Sequence, residues 1–179
     1  MKQIEADLIE KAKTSPESFK AIYQQWATPM YRYIFARVRN PQDSEDITSQ
    51  VFLTALQVLP RYKHKGVFSA WLFGIARNKI KEYFRKIHRN DISIELLGEK
   101  TVLQNNLNQE EAARDDIEIL NQHIQSLPEV DQELILLRYV AGLKFTEIGA
   151  VMKKSTGSVK KRLYRIKYKL EEIMENQNE

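Results

Sequence analysis

Apolar side chains recur at helical spacing through most of this sequence, behind proline-capped starts, and that pattern constrains the fold more than any other feature. Ser15-Pro16 joins an N-cap hydroxyl to a proline at the first helical position, and Phe19, Ile22, Tyr23, Trp26, Met30, Tyr33, Ile34 and Val38 follow at helical spacing. One long helix is expected to run to about Arg39. Asn40-Pro41 repeats the cap chemistry, and Asp43, Glu45 and Asp46 bring negative charge to the helix start, where the backbone dipole favours it. With Ile47, Val51, Ala55 and Leu59 facing inward, this second helix should end near Pro60. A third, from Phe68 to Ile87, turns Phe68, Trp71, Leu72, Ile75, Ile80, Tyr83 and Ile87 toward a core.

The pattern fades from Asp91 to about Asp116, where Asn, Gln and acids dominate, and a flexible linker is expected there. It resumes at Ile117, Leu120 and Ile124, breaks at Leu127-Pro128, and continues through Leu134, Leu137 and Tyr139 to Gly142. Thr146 reads as the cap of a short helix with Ile148, Val151 and Met152 inward. After a turn at Lys153 to Ser155, a last helix opens near Thr156 with Val159, Leu163, Ile166 and Leu170 on its core face. A short helix, a tight turn and a second helix make a helix-turn-helix. Alternating Val, Ile and Thr runs between turn clusters, the mark of strands, are missing. The fold class is therefore all-α: two helical domains, residues 1–90 and 117–179, joined by an acidic linker at 91–116. A chain of 179 residues is long enough for two small domains.

Net charge is only +4, but it is unevenly distributed. Nine Lys or Arg lie between Arg61 and Arg89 against the single acid Glu82, and eight between Lys153 and Lys169 against none. The stretch from Asp91 to Glu118, which includes the connector, carries eight acids against Lys100 and Arg114. Two basic modules flanking an acidic connector point to polyanion binding, because neutralising phosphates releases condensed counterions. Two merely solvated basic faces remain the alternative. On the third helix Arg77, Lys81 and Arg85 recur every four residues and form one stripe away from most of the apolar set, as a helix presents cations to a nucleic-acid backbone. The last helix is basic too, and as the second of a helix-turn-helix it would lie in the major groove.

Other classes fall away. The chain has no cysteine, which removes disulfides, thiolate metal sites and a thiol nucleophile, and suits a reducing cytoplasm. His64, His88 and His123 lack metal-ligand spacing, so no metal or other cofactor is expected. Met1 to Lys13 contains no signal-peptide core, and no stretch reaches the roughly 18 apolar residues of a membrane span. A soluble, cytoplasmic protein without direct membrane insertion is expected. Nuclease chemistry at 43–46 would need carboxylates converging on paired ions, which one local cluster does not provide. Trp26 and Trp71 fit the apolar pattern as core residues, and Tyr164 and Tyr168, one helical turn apart, read as packing residues.

Three segments carry a family resemblance. FSAWLFGIARNKIKEYFRK at 68–86 looks like the promoter-melting segment of extracytoplasmic-function sigma factors of the sigma-70 family, and DSEDITSQVF at 43–52 resembles their polymerase-binding helix. LPEVDQELILLRYVAGLKFTEIG from Leu127 through STGSVKKRLYRIKYKL to Leu170 resembles their second DNA-binding domain. The resemblance implies a non-enzymatic initiation factor. Core RNA polymerase, through its beta and beta-prime subunits, would be the main partner, with Asp43, Glu45, Asp46 and Gln50 contacting the largest subunit. The first domain would hold the melted minus-ten strand. Lys63, His64 and Lys65 in the loop, beside Arg77, Asn78, Lys81 and Arg85, would form its cationic groove, with the loop capturing a flipped base. The second domain would read the minus-thirty-five duplex with Thr156, Ser158, Lys160, Lys161, Arg162 and Arg165. Arg162 and Lys161 could reach guanine edges, while the others mostly contact phosphate. Promoter DNA and an anti-sigma factor are the further partners implied, and the linker would pass through the polymerase channel or serve as a plain tether. Ser49-Gln50 stands where the family usually has Gln-Glu or Gln-Asp, and Lys153-Lys154 where the turn usually holds Gly-Ile. The rival reading is a helix-turn-helix regulator that binds its operator without polymerase.

Overall fold

The computed structural model describes residues 2–63, 67–90 and 120–175. The first module holds four helices: α1 (Lys2–Ala12), α2 (Pro16–Val38), α3 (Pro41–Val58) and α4 (Phe68–Asn90), with a 3-10 turn at Leu59–Arg61. The second holds α5 (120–126), α6 (Glu129–Ile135), α7 (Phe145–Met152) and α8 (Thr156–Glu175). No strand occurs among the described residues.

Both expected caps form. The Ser18 amide donates to Ser15 Oγ at 3.4 Å, and the Asp43 amide donates to Asn40 Oδ1 at 3.0 Å. Each satisfies one of the amides a helix start leaves without an intrahelical acceptor. Between them α2 closes on Arg39, whose φ of 61° is left-handed and turns the chain sharply into α3. Helix α1 was not expected. It packs on α2 and buries Ile9 and Ala12.

Trp26, Met30, Tyr33 and Ile34 of α2 form the first core together with Val51 and Ala55 of α3 and Leu72, Phe73 and Ala76 of α4. Phe73 is its hub, edge-on to Tyr33 at 5.1 Å and to Trp26 at 6.1 Å. In the second module Leu134, Leu137, Leu143, Ile148, Val159, Leu163 and Ile166 are buried. Fully burying one such side chain is worth about 1.5–3 kcal/mol, so these stripes are the main cohesive force of each bundle. The modules also touch: α4 packs against α7, α2 packs against the turn following α6, and the buried apolar residues form one continuous cluster.

Helix α6 does not run on as an α-helix. Residues Leu136–Val140 form a π turn, closed by the Ala141 amide donating to the Leu136 carbonyl at 2.9 Å. Widening the turn shifts later positions off the 3.6-residue period. Tyr139, read as core, stands two residues beyond the buried Leu137, on the opposite side of the turn from it, and is 62% exposed. Tyr23, also read as core, lies at the margin of its stripe and is exposed, with its ring edge-on to Phe52 at 4.8 Å. Helix α7 begins at Phe145 rather than after Thr146, and Glu147 Oε2 accepts from the Lys144 amide at 2.8 Å. The linker expected at 91–116 lies outside the described residues.

Candidate nucleic-acid interface

The cationic stripe on α4 divides in two. Asn78, Lys81 and Arg85 are exposed along the outer face, while Arg77 is half-buried. Arg77 Nη1 donates to the Val151 carbonyl at 3.4 Å, and its Nε lies 3.6 Å from the Glu133 carboxylate. Lys63 is exposed where the chain approaches α4, and His64 and Lys65 fall outside the described residues. Trp71 is half-buried rather than sealed in the core, with the half-buried Tyr62 ring at 4.8 Å and the buried Phe68 ring at 5.2 Å.

The acidic start of α3 also divides. Asp43 turns toward α4 and accepts a hydrogen bond from the Tyr83 hydroxyl at 2.8 Å. Burial, reinforced by that carboxylate, pushes the Tyr83 phenol up to about 12. Glu45, Asp46 and Gln50 point to solvent. Beside them Leu53, Leu56 and Tyr23 are exposed around a groove floored by Phe19 and Phe52. The sequence reading missed this apolar face. Its signal lay in LTALQV, where Leu53 and Leu56 fall off the inward stripe of Val51, Ala55 and Leu59.

The helix-turn-helix is built around a close backbone approach. A Cβ on Gly149 would sit 2.9 Å from the Lys154 carbonyl oxygen, so only glycine fits there. Lys153 takes the left-handed conformation at φ 54°, and the Lys154 amide closes the turn onto the Gly149 carbonyl at 2.9 Å. The Ser155 hydroxyl caps α8 by accepting from the Ser158 amide at 3.2 Å. Thr156, Ser158, Lys160, Lys161 and Arg165 are then exposed on the first turns of α8. Arg162 is not free with them. Its guanidinium donates to the buried Asp131 carboxylate on α6, and that hydrogen bond pushes the Arg162 pKa up. Arg162 thus ties α8 to α6 and orients the basic face instead of extending it. Tyr164 and Tyr168, expected to pack, are 54% and 76% exposed. Asp131 and Glu133, two buried acids, were not foreseen. Asp131 precedes the buried Leu134 and Ile135 by three and four residues, a helical spacing that marks it as inward.

Two exposed cationic helices on separate modules, one of them the second helix of a helix-turn-helix, match a known pairing. The family model for Sigma-70 region 2 matches residues 22–90, and that for Sigma-70, region 4 matches residues 117–170. The chain belongs to the sigma-70 family of RNA polymerase sigma factors. Its relatives place it among the extracytoplasmic-function members. This sigma factor is 32% identical to the ECF RNA polymerase sigma factor BldN of Streptomyces coelicolor, an alignment covering 89% of this chain and 61% of BldN. It is 29% identical to SigM of Bacillus subtilis, covering 85% of this chain and 92% of SigM. Among solved structures it resembles CnrH in complex with the cytosolic domain of CnrY, with a TM-score of 0.66 and 20% identity over 94% of this chain and 96% of that one. That likeness shows the shared fold of the sigma factor. Among the described residues no helix is long and apolar enough to cross a membrane, and no cluster of His, Asp and Glu could hold a metal ion.

Proposed function

We propose that this sigma factor binds core RNA polymerase through the exposed start of α3, holds the melted minus-ten strand along α4 and reads the minus-thirty-five duplex with α8. The observation that carries the reading is the exposure of Lys81 and Arg85 on α4 together with Lys160, Lys161 and Arg165 on α8, two cationic faces on separate modules. Cationic surfaces that track a phosphate backbone beside aromatic rings suit single strands, and the partly exposed Tyr62 and Trp71 rings lie beside the start of α4. The helix-turn-helix presents a basic first turn suited to a major groove. Glu45, Asp46 and Gln50 beside the Leu53 and Leu56 face give α3 the mixed polar and apolar character of a protein-binding surface. Polymerase performs the chemistry, and this chain supplies promoter choice and strand capture. It acts in the cytoplasm, and an anti-sigma factor is its expected antagonist.

In-vitro transcription with core polymerase on a promoter library tests the reading. Wild type should confer a start-site preference that core enzyme alone lacks. Asp46→Arg should lose co-purification with core. Lys81→Ala with Arg85→Ala should keep co-purification but lose permanganate reactivity at the melted strand. Tight duplex binding without polymerase, and no preference conferred with it, would replace this reading by that of an operator-binding regulator.

A further inference from the structure

A buried acid lies where the modules meet. Glu133 of α6 is 3% exposed, and its carboxylate accepts from the Tyr33 hydroxyl of α2 at 2.8 Å. It also pairs with Arg37 of α2 and lies 3.6 Å from Arg77 Nε of α4. All three partners belong to the first module, while Glu133 belongs to the second. A carboxylate taken this far out of water is tolerated only when it is paired and hydrogen-bonded, and here the other module provides that. Burial raises the Tyr33 phenol pKa, which keeps its proton in place as the donor. Arg77 is fixed a second time by the Val151 carbonyl of α7, the first helix of the helix-turn-helix.

We propose that Glu133 is a built-in latch that holds the two modules closed and occupies Arg77, one cation of the α4 stripe, in place of a nucleic-acid phosphate. The reasoning is competitive. A guanidinium paired with a buried carboxylate is withdrawn from phosphate, and the packing of α7 on α4 covers the same end of the stripe. Because a buried ion pair roughly offsets its own desolvation, the latch fixes one closed arrangement without making it deep. Partners that favour the open form can therefore release it by population shift. The inhibitory part rests on the proposed role of α4 in DNA binding, whereas the closure rests on the Glu133 contacts and the packing of α7 on α4.

The cysteine-free chain allows a direct test. Donor and acceptor dyes at Gln57→Cys on α3 and Glu175→Cys on α8 report module separation by energy transfer in the full-length protein. Glu133→Gln should lower transfer while leaving helicity unchanged, and Arg37→Gln, made from the opposite side, should do the same. If Glu133→Gln does not fold, the Arg37 variant carries the test. Opening should also raise affinity for a minus-ten single strand, by about tenfold if the open form is about a tenth populated in wild type. Adding Arg77→Ala to Glu133→Gln should cut that gain while leaving transfer low. Unchanged transfer in folded variants would overturn the latch. Lowered transfer with no gain in affinity would overturn its inhibitory role. Neither result bears on co-purification with core polymerase through α3, so a failed latch and a failed sigma-factor reading stay separable.

Discussion

Lys153 is the one residue of the helix-turn-helix whose backbone works against its own side chain. At φ 54° an L-residue with a Cβ costs about 1–2 kcal/mol, part of which glycine would give back through the greater freedom of its unfolded chain. Lys153→Gly should therefore stabilise the protein by about 0.5–1 kcal/mol, read as a higher urea midpoint. Gly149→Ala should do the reverse, since its Cβ would meet the Lys154 carbonyl at 2.9 Å and something must shift, at a cost of about 1–3 kcal/mol. Tyr83 makes a second residue-scale case. Its folded pKa is raised from 10.0 to about 12, so the folded state keeps a proton that the unfolded chain releases. That contribution is fully present below pH 10.0 and is lost as pH rises through about 12. The stability difference between wild type and Tyr83→Phe, measured by urea unfolding across this range, should shrink accordingly. A constant difference would mean that the phenol is not held by Asp43.

At the scale of the element, local chemistry made most boundaries readable. Ser15-Pro16 and Asn40-Pro41 opened α2 and α3 where they were expected, because side-chain caps and N1 proline are local signals that tertiary contacts rarely override. Asn40→Ala should cost about 1 kcal/mol by leaving the Asp43 amide without its acceptor, and should fray the turn that presents Glu45 and Asp46. Denaturation midpoints together with core-polymerase affinity would check both effects, and a stability loss with affinity intact would separate the cap from the binding surface. Other features depend on tertiary contacts. Helix α1 has charges mixed through a short segment, and what holds it is the burial of Ile9 and Ala12 against α2, a tertiary fact. Arg162, expected on the DNA-facing side of a basic helix, also has a partner that its position on that helix does not announce, Asp131 on another helix. Periodicity gives the face of a helix but not the partner that waits there.

The arrangement of the modules was the least legible feature of the molecule, because the contact that fixes it joins Tyr33 to Glu133 across a sequence separation of 100. Charge segregation, by contrast, was plain in the chain and carries a quantitative consequence. Each phosphate neutralised on duplex DNA contributes about 0.9 to the slope of log affinity against log salt. Lys160 and Lys161 are exposed on the first turns of α8, Lys160 with its ammonium 5.8 Å from the Tyr164 ring centroid, whereas Arg162 is held by the buried Asp131. With core polymerase present, Lys160→Ala with Lys161→Ala should therefore weaken promoter binding and lower the slope by about 1 to 2, according to whether Lys161 meets a base or a phosphate. Arg162→Ala should act differently: weaker folding of the second module, because the buried Asp131 loses its partner, with less change in slope than the lysine pair produces. Fluorescence anisotropy across a salt series, paired with thermal unfolding of each variant, distinguishes the two. A slope that falls more for Arg162→Ala than for the lysine pair would mean that Arg162 leaves Asp131 for DNA, and that α8 reorganises when it binds.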